Sequence, residues 1–191
     1  MERLGILGGT FDPVHVAHLA AASAAGHQLA LDRVLLMVAR DPWQKHGRVE
    51  APAETRYAMV AAAIEGVDKL EASRLELERD GPTYTADTVA ELTAPGRELF
   101  LIIGADVAAG LDTWDRVGEL QQRVTLALVD RSDGRSPASP VGWRAVSVHM
   151  PRLDISSSDL RRRIAAGEPV DFLIPAAAVQ ILRARGLYTA R

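Results

Sequence analysis

The sequence predicts an α/β fold: a mainly parallel sheet with helices on both faces. Three observations predict it. Compact runs of Leu, Ile and Val, at Leu4–Leu7, Val34–Val38, Leu99–Ile103 and Val124–Val129, lack the polar alternation of a half-wet strand and read as strands buried on both sides. Helix-patterned segments separate them, which favours parallel pairing through crossovers. Finally, Gly, His, Asp, Trp, Lys and Arg gather just after the apolar runs. Parallel sheets of this kind bind ligands outside the carboxyl ends of their strands.

In order along the chain, Leu4–Leu7 runs into Gly8 and Gly9. A helix is expected over Val16–Ala30. Strand Val34–Val38 follows, then a helix over Ala53–Glu65 with Pro52 at its start. Leu70–Glu78 and Ala145–Val148 are weaker strand candidates. Helices are expected at Thr85–Leu92, Trp114–Gln122, Ser157–Ala166 and Pro175–Arg185. Gly167 and Gly186 supply the stops of the last two. Residues Ser132–Gly142, rich in Gly, Ser and Pro, read as an exposed loop. The 191 residues are expected to form one domain, with residues from about 155 to 191 completing its ligand site.

Composition narrows the function. The net charge is −3, so a nucleic-acid partner is not expected. No apolar run approaches the ~20 residues of a membrane span, and nothing resembles a signal peptide. A soluble cytoplasmic protein is the expectation; a homo-oligomer is left open. The chain has no cysteine, which removes disulfides, thiolate nucleophiles and cysteine-based zinc sites.

The richest stretch is GGTFDPVHVAH, residues 8 to 18. Gly8 and Gly9 let the chain turn and a ligand approach the backbone. The helix starting near Val16 should offer unpaired N–H groups and the positive end of its dipole to an anion. His15 and His18, three apart, can face the same way. The stretch is neither a dinucleotide fingerprint nor a P-loop. Zinc is not expected, because no third ligand accompanies the pair. His27 and His149 read as surface or packing residues, and Asp12 as holding the turn before Pro13.

These residues carry a resemblance. GGTFDPVHVAH is similar to the G-G-T-F-D-P-x-H-x-G-H signature of nucleotidyltransferases that form dinucleotides from ATP. Asp154–Arg161, reading D-I-S-S-S-D-L-R, is similar to their I-S-S-T-x-x-R motif. GPTYTADT, residues 81 to 88, and GAD, 104 to 106, resemble the bacterial nicotinate-mononucleotide adenylyltransferases in particular. The chain departs from the pattern at Ala17, where the family has glycine, and at Ser158 in place of threonine. Trp43-Gln44-Lys45 stands where Pro-His-Lys is common.

The resemblance implies a Rossmann-like sheet of nucleotidyltransferase type and adenylyl transfer from ATP to nicotinate mononucleotide. It implies His15, His18, Lys45 and Arg161 as catalytic residues on the phosphates. Gly8, Gly9, Thr10, Phe11, Gly104, Asp106, Ile155 and Ser158 would bind ATP. Tyr84, Thr85, Trp114 and Trp43 would hold the pyridine nucleotide. Mg²⁺ would arrive with ATP, without a dedicated protein ligand. From the residues alone, Asp106 is equally a ribose ligand or a helix N-cap, whereas for Trp114 a half-buried packing anchor is the commoner fate and the stacking platform is what the resemblance implies. Nicotinamide mononucleotide, another phosphate acceptor, or a catalytically inactive nucleotide-binding regulator remain the alternatives.

Overall fold

A computed structural model describes residues 1–42, 49–130 and 139–189. Six strands form one sheet: β1 (Glu2–Gly9), β2 (Arg33–Val38), β3 (Leu70–Ser73), β4 (Arg97–Gly104), β5 (Val124–Asp130) and β6 (Ala145–His149). Their order is β3-β2-β1-β4-β5-β6, and every neighbouring pair is parallel. The order reverses between β1 and β4, which opens a crevice at their carboxyl ends.

Alternation along the strands divides the interior in two. Leu36, Val38, Phe100, Ile102, Ala127 and Val129 pack on one face with α1 (Val16–Gln28), α2 (Ala53–Ala63), α6 (Ser157–Ala165) and α7 (Ala176–Ala184). Leu35, Met37, Leu101, Ile103, Leu126 and Leu128 face the other way, onto α3 (Thr85–Leu92) and α5 (Val117–Arg123). Both faces are apolar, which is why the strand runs show no polar alternation. A four-residue helix, α4 (Ala105–Ala108), and a 3₁₀ turn, Leu111–Thr113, complete the crossover after β4.

Three of the boundaries that differ from expectation have a local cause. β3 ends at Ser73; Arg74–Glu78 forms turns, with Leu77 N–H donating to the Arg74 carbonyl. This strand pairs with β2 alone, and Ser73 Oγ accepts from Leu75 N–H, turning the chain away. Trp114 is extended and α5 begins only at Val117, because Arg116 adopts a left-handed backbone before it. α1 stops at Gln28, with Ala30 left-handed beyond it. Of Ser132–Gly142, residues 132–138 lie outside the described residues. Among the described residues no helix is long and apolar enough to cross a membrane.

Candidate functional site

The glycine turn at the end of β1 is built by close packing. A side chain at Gly9 would stand 2.9 Å from the Phe11 ring, so the ring closes directly on the backbone. A side chain at Gly8 would meet open space, which leaves that peptide face available to a ligand. Phe11 is itself left-handed and buried. Its ring meets His18 edge-on at 4.9 Å. The His15 and His18 imidazoles stack, with centroids 3.7 Å apart and planes 23° apart. His15 is 3% exposed and His18 half-buried. His15 is the N-cap of α1 and His18 its third residue, and this pairing brings both rings to one place.

Part of the helix end is occupied by the protein itself. Val16 N–H donates to the Leu173 carbonyl at 3.0 Å, His15 N–H to His18 Nδ1 at 3.3 Å and His18 N–H to the His15 carbonyl at 3.0 Å. The loop between α6 and α7 meets the first turn at Val16. Ala17 is 1% exposed; its methyl is covered by protein rather than lining an open surface.

The late motif docks onto the early one. Ser156 caps α6, accepting from Asp159 N–H at 3.1 Å. Ser157 Oγ donates to the Pro13 carbonyl at 2.9 Å. Arg161 Nη1 donates to the Asp12 carbonyl at 2.9 Å, and its Nε to Glu50 at 2.7 Å. Ile155 packs against the core, while Ser158 is exposed. Arg162 and Arg163 are occupied by Asp159 and Glu168.

Beneath this junction lies a buried polar node. Asp12, 2% exposed, accepts from Glu50 N–H at 2.9 Å, Ala51 N–H at 3.1 Å and the Tyr188 hydroxyl at 2.5 Å. Burial, then Asp12, pushes the Tyr188 phenol well above its ordinary range. Arg56, 1% exposed, donates to the carbonyls of Thr10, Ala39, Arg40 and Ala51. It gathers the ends of β1 and β2 and satisfies their outgoing carbonyls. Sequence reasoning missed Glu50, Arg56, Ser157 and Tyr188. Arg56 had a signal: a charge within the apolar run of α2. Tyr188 had none, since it meets Asp12 across 176 positions.

After β4, Gly104 rather than Asp106 is the N-cap of α4. The exposed Asp106 turns its carboxylate over Gly104, where any side chain would stand 2.6 Å from Oδ1. Tyr84 is the N-cap of α3 and Thr85 its first residue; both are half-buried. Trp114, half-buried, packs against the second apolar cluster. Trp43 and Lys45 lie outside the described residues. Among the described residues no group of three or more His, Cys, Asp or Glu is arranged to hold a metal.

Topology and site together define an α/β protein whose glycine turn, paired histidines and Arg161 gather at a sheet crevice. The cytidylyltransferase-like family model matches residues 6–163. A probable nicotinate-nucleotide adenylyltransferase of Saccharopolyspora erythraea is 42% identical over 190 residues, spanning 98% of this chain and 90% of the relative. One from Thermus thermophilus is 40% identical, spanning 97% and 99%. The chain belongs to the cytidylyltransferase-like family and, within it, to the nicotinate-nucleotide adenylyltransferases. The fold matches that of the Plasmodium falciparum nicotinic acid mononucleotide adenylyltransferase complexed with NaAD, at a TM-score of 0.79 and 19% identity over 98% of both chains.

Proposed function

We propose that this chain transfers the adenylyl group of ATP to nicotinate mononucleotide, giving nicotinate adenine dinucleotide and pyrophosphate, a step of NAD biosynthesis. The near-full-length identity to nicotinate-nucleotide adenylyltransferases carries this reading. The junction of the 8–18 and 154–161 segments supports it.

An oxygen of the acceptor's 5′-phosphate attacks the α-phosphorus of ATP, and the bond to the β-phosphate oxygen breaks. The attacking oxygen is already anionic, so the protein supplies no covalent nucleophile. Its work is alignment and stabilisation of phosphoryl charge. His15 and His18 contact the α-phosphate. The buried rear ring supports the front one, so the pair is pre-oriented. Gly8, Gly9, Thr10 and Phe11 let the triphosphate lie close along the end of β1. Arg161 takes the β- and γ-phosphates; the planar guanidinium suits them. Lys45 adds charge. Asp106 receives the ribose, with Gly104 giving its carboxylate room. Ile155 and Ser158 border the ATP. No residue is assigned to Mg²⁺, which would come with ATP and supply positive charge against its phosphates. Tyr84, Thr85, Trp114 and Trp43 hold the pyridine nucleotide. The reaction takes place in the cytoplasm.

Purified protein with Mg²⁺, ATP and either pyridine mononucleotide tests the reading by product analysis. Nicotinate adenine dinucleotide should form in step with pyrophosphate. Faster turnover of nicotinamide mononucleotide would overturn the acceptor, and ATP binding without pyrophosphate release would overturn the enzyme.

A further inference from the structure

Two of the residues assigned above to the pyridine nucleotide sit on separate elements. Tyr84 starts α3, and Trp114 stands on the irregular segment before α5. One side chain joins them. Arg116, two residues after Trp114, donates through Nη2 to Asp87 in the first turn of α3. Its Nε donates to Asp115 at 2.7 Å. The Arg116 backbone is left-handed, with φ +48°, a region that favours glycine. Its carbonyl accepts the first N–H bonds of α5, from Glu119 at 2.9 Å and Leu120 at 3.3 Å.

Stability does not explain this arrangement. The side chains of Arg116 and Asp87 are 39% and 35% exposed, and ion pairs so open to water add little. A left-handed non-glycine residue costs about as much as such a pair returns. Position is what the pair supplies: it ties the Trp114 segment to the helix that begins at Tyr84 and Thr85.

We propose that Arg116 and Asp87 are positioning residues that set the distance between Trp114 and Tyr84, and so tune acceptor binding without touching the reacting phosphates. This rests on the acceptor reading given above. The test is steady-state kinetics with nicotinate mononucleotide and ATP on wild type, Arg116→Gly, Arg116→Lys, Asp87→Asn and the double variant Arg116→Gly with Asp87→Asn. Glycine suits the left-handed backbone, so Arg116→Gly removes the guanidinium while the fold persists, checked by an unchanged melting temperature. KM for nicotinate mononucleotide should rise about three- to tenfold in Arg116→Gly and Asp87→Asn, with KM for ATP within about twofold. Arg116→Lys should recover part of the loss. The double variant should be no worse than the poorer single one, because one shared contact is lost once. Unchanged acceptor KM, an equal rise for ATP, or multiplied effects in the double variant would overturn the clamp. Failure of the wild type to use nicotinate mononucleotide would instead overturn the acceptor reading, and the clamp with it.

Discussion

Arg161 reaches from α6 to Glu50, Nε to carboxylate at 2.7 Å, while its Nη1 rests on the carbonyl of Asp12 at 2.9 Å. The guanidinium that should meet the triphosphate is therefore already aimed and partly neutralised. Arg161→Ala should raise KM for ATP by one to two orders of magnitude, about 1.5–3 kcal/mol for a charge-assisted contact. Glu50→Gln should lower it. The Glu50 side chain is 55% exposed, so the competing pair is worth about 1 kcal/mol at most and the gain stays within about fivefold. Initial rates against ATP concentration check both; an unchanged ATP requirement in Arg161→Ala would remove it from the site.

His18 is half-buried, and its described ring contacts are with Phe11 and His15. Its loss should cost little packing and much transition-state contact. His18→Ala should cut kcat about 10²–10³-fold, the size of effect seen when one preorganised donor is removed. Melting temperature should fall by only a few degrees. Turnover near wild type would dismiss the histidine pair.

A pH effect on stability follows from Glu76, 6% exposed. It accepts from the Thr88 hydroxyl at 2.6 Å. Burial pushes its carboxyl up to about 7, although Thr88 and Arg79 act in the opposite direction. The folded state thus holds this proton more tightly than the unfolded chain. The contribution is fully present below about pH 4.5 and is lost as pH rises through about 7. Glu76→Gln keeps an acceptor for Thr88 and removes the charge. It should match wild type near pH 4.5 and exceed it above pH 7 by up to about 3 kcal/mol, read by denaturant unfolding at both pH values. A difference independent of pH would contradict the assignment.

Trp114 packs against the second apolar cluster while remaining half-buried. Both roles open to a tryptophan there are thus compatible. Trp114→Ala should raise the acceptor KM about three- to tenfold, the range of a lost aromatic stack. The requirement for ATP should stay nearly unchanged. An equal change for both substrates would make it a packing anchor alone.

Much of the fold could be read along the chain because parallel strands buried on both faces leave an unmistakable apolar signature. Val34–Val38, Leu99–Ile103 and Val124–Val129 all lie within strands. Leu70–Glu78 was only half strand, since an edge strand lasts no longer than its single partner. The helix expected from Trp114 starts later, at Val117, for a local reason that composition does not carry, the left-handed turn at Arg116. His15 and His18 were legible because their spacing is local, N-cap to third residue of one helix. The occupation of the Val16 N–H was not, because Leu173 lies on a loop distant in sequence.

The sequence by itself determined the alternating architecture, the glycine turn beside two histidines and the likeness to dinucleotide-forming nucleotidyltransferases, all properties of local spacing and hydrophobic pattern. Tertiary structure alone decided that Tyr188, Arg161, Glu50 and Arg56 converge on the end of β1. It also decided that Gly104, rather than Asp106, caps its helix. Such meetings are set by how buried polar groups find partners once the sheet has closed, and no periodicity in the chain encodes them.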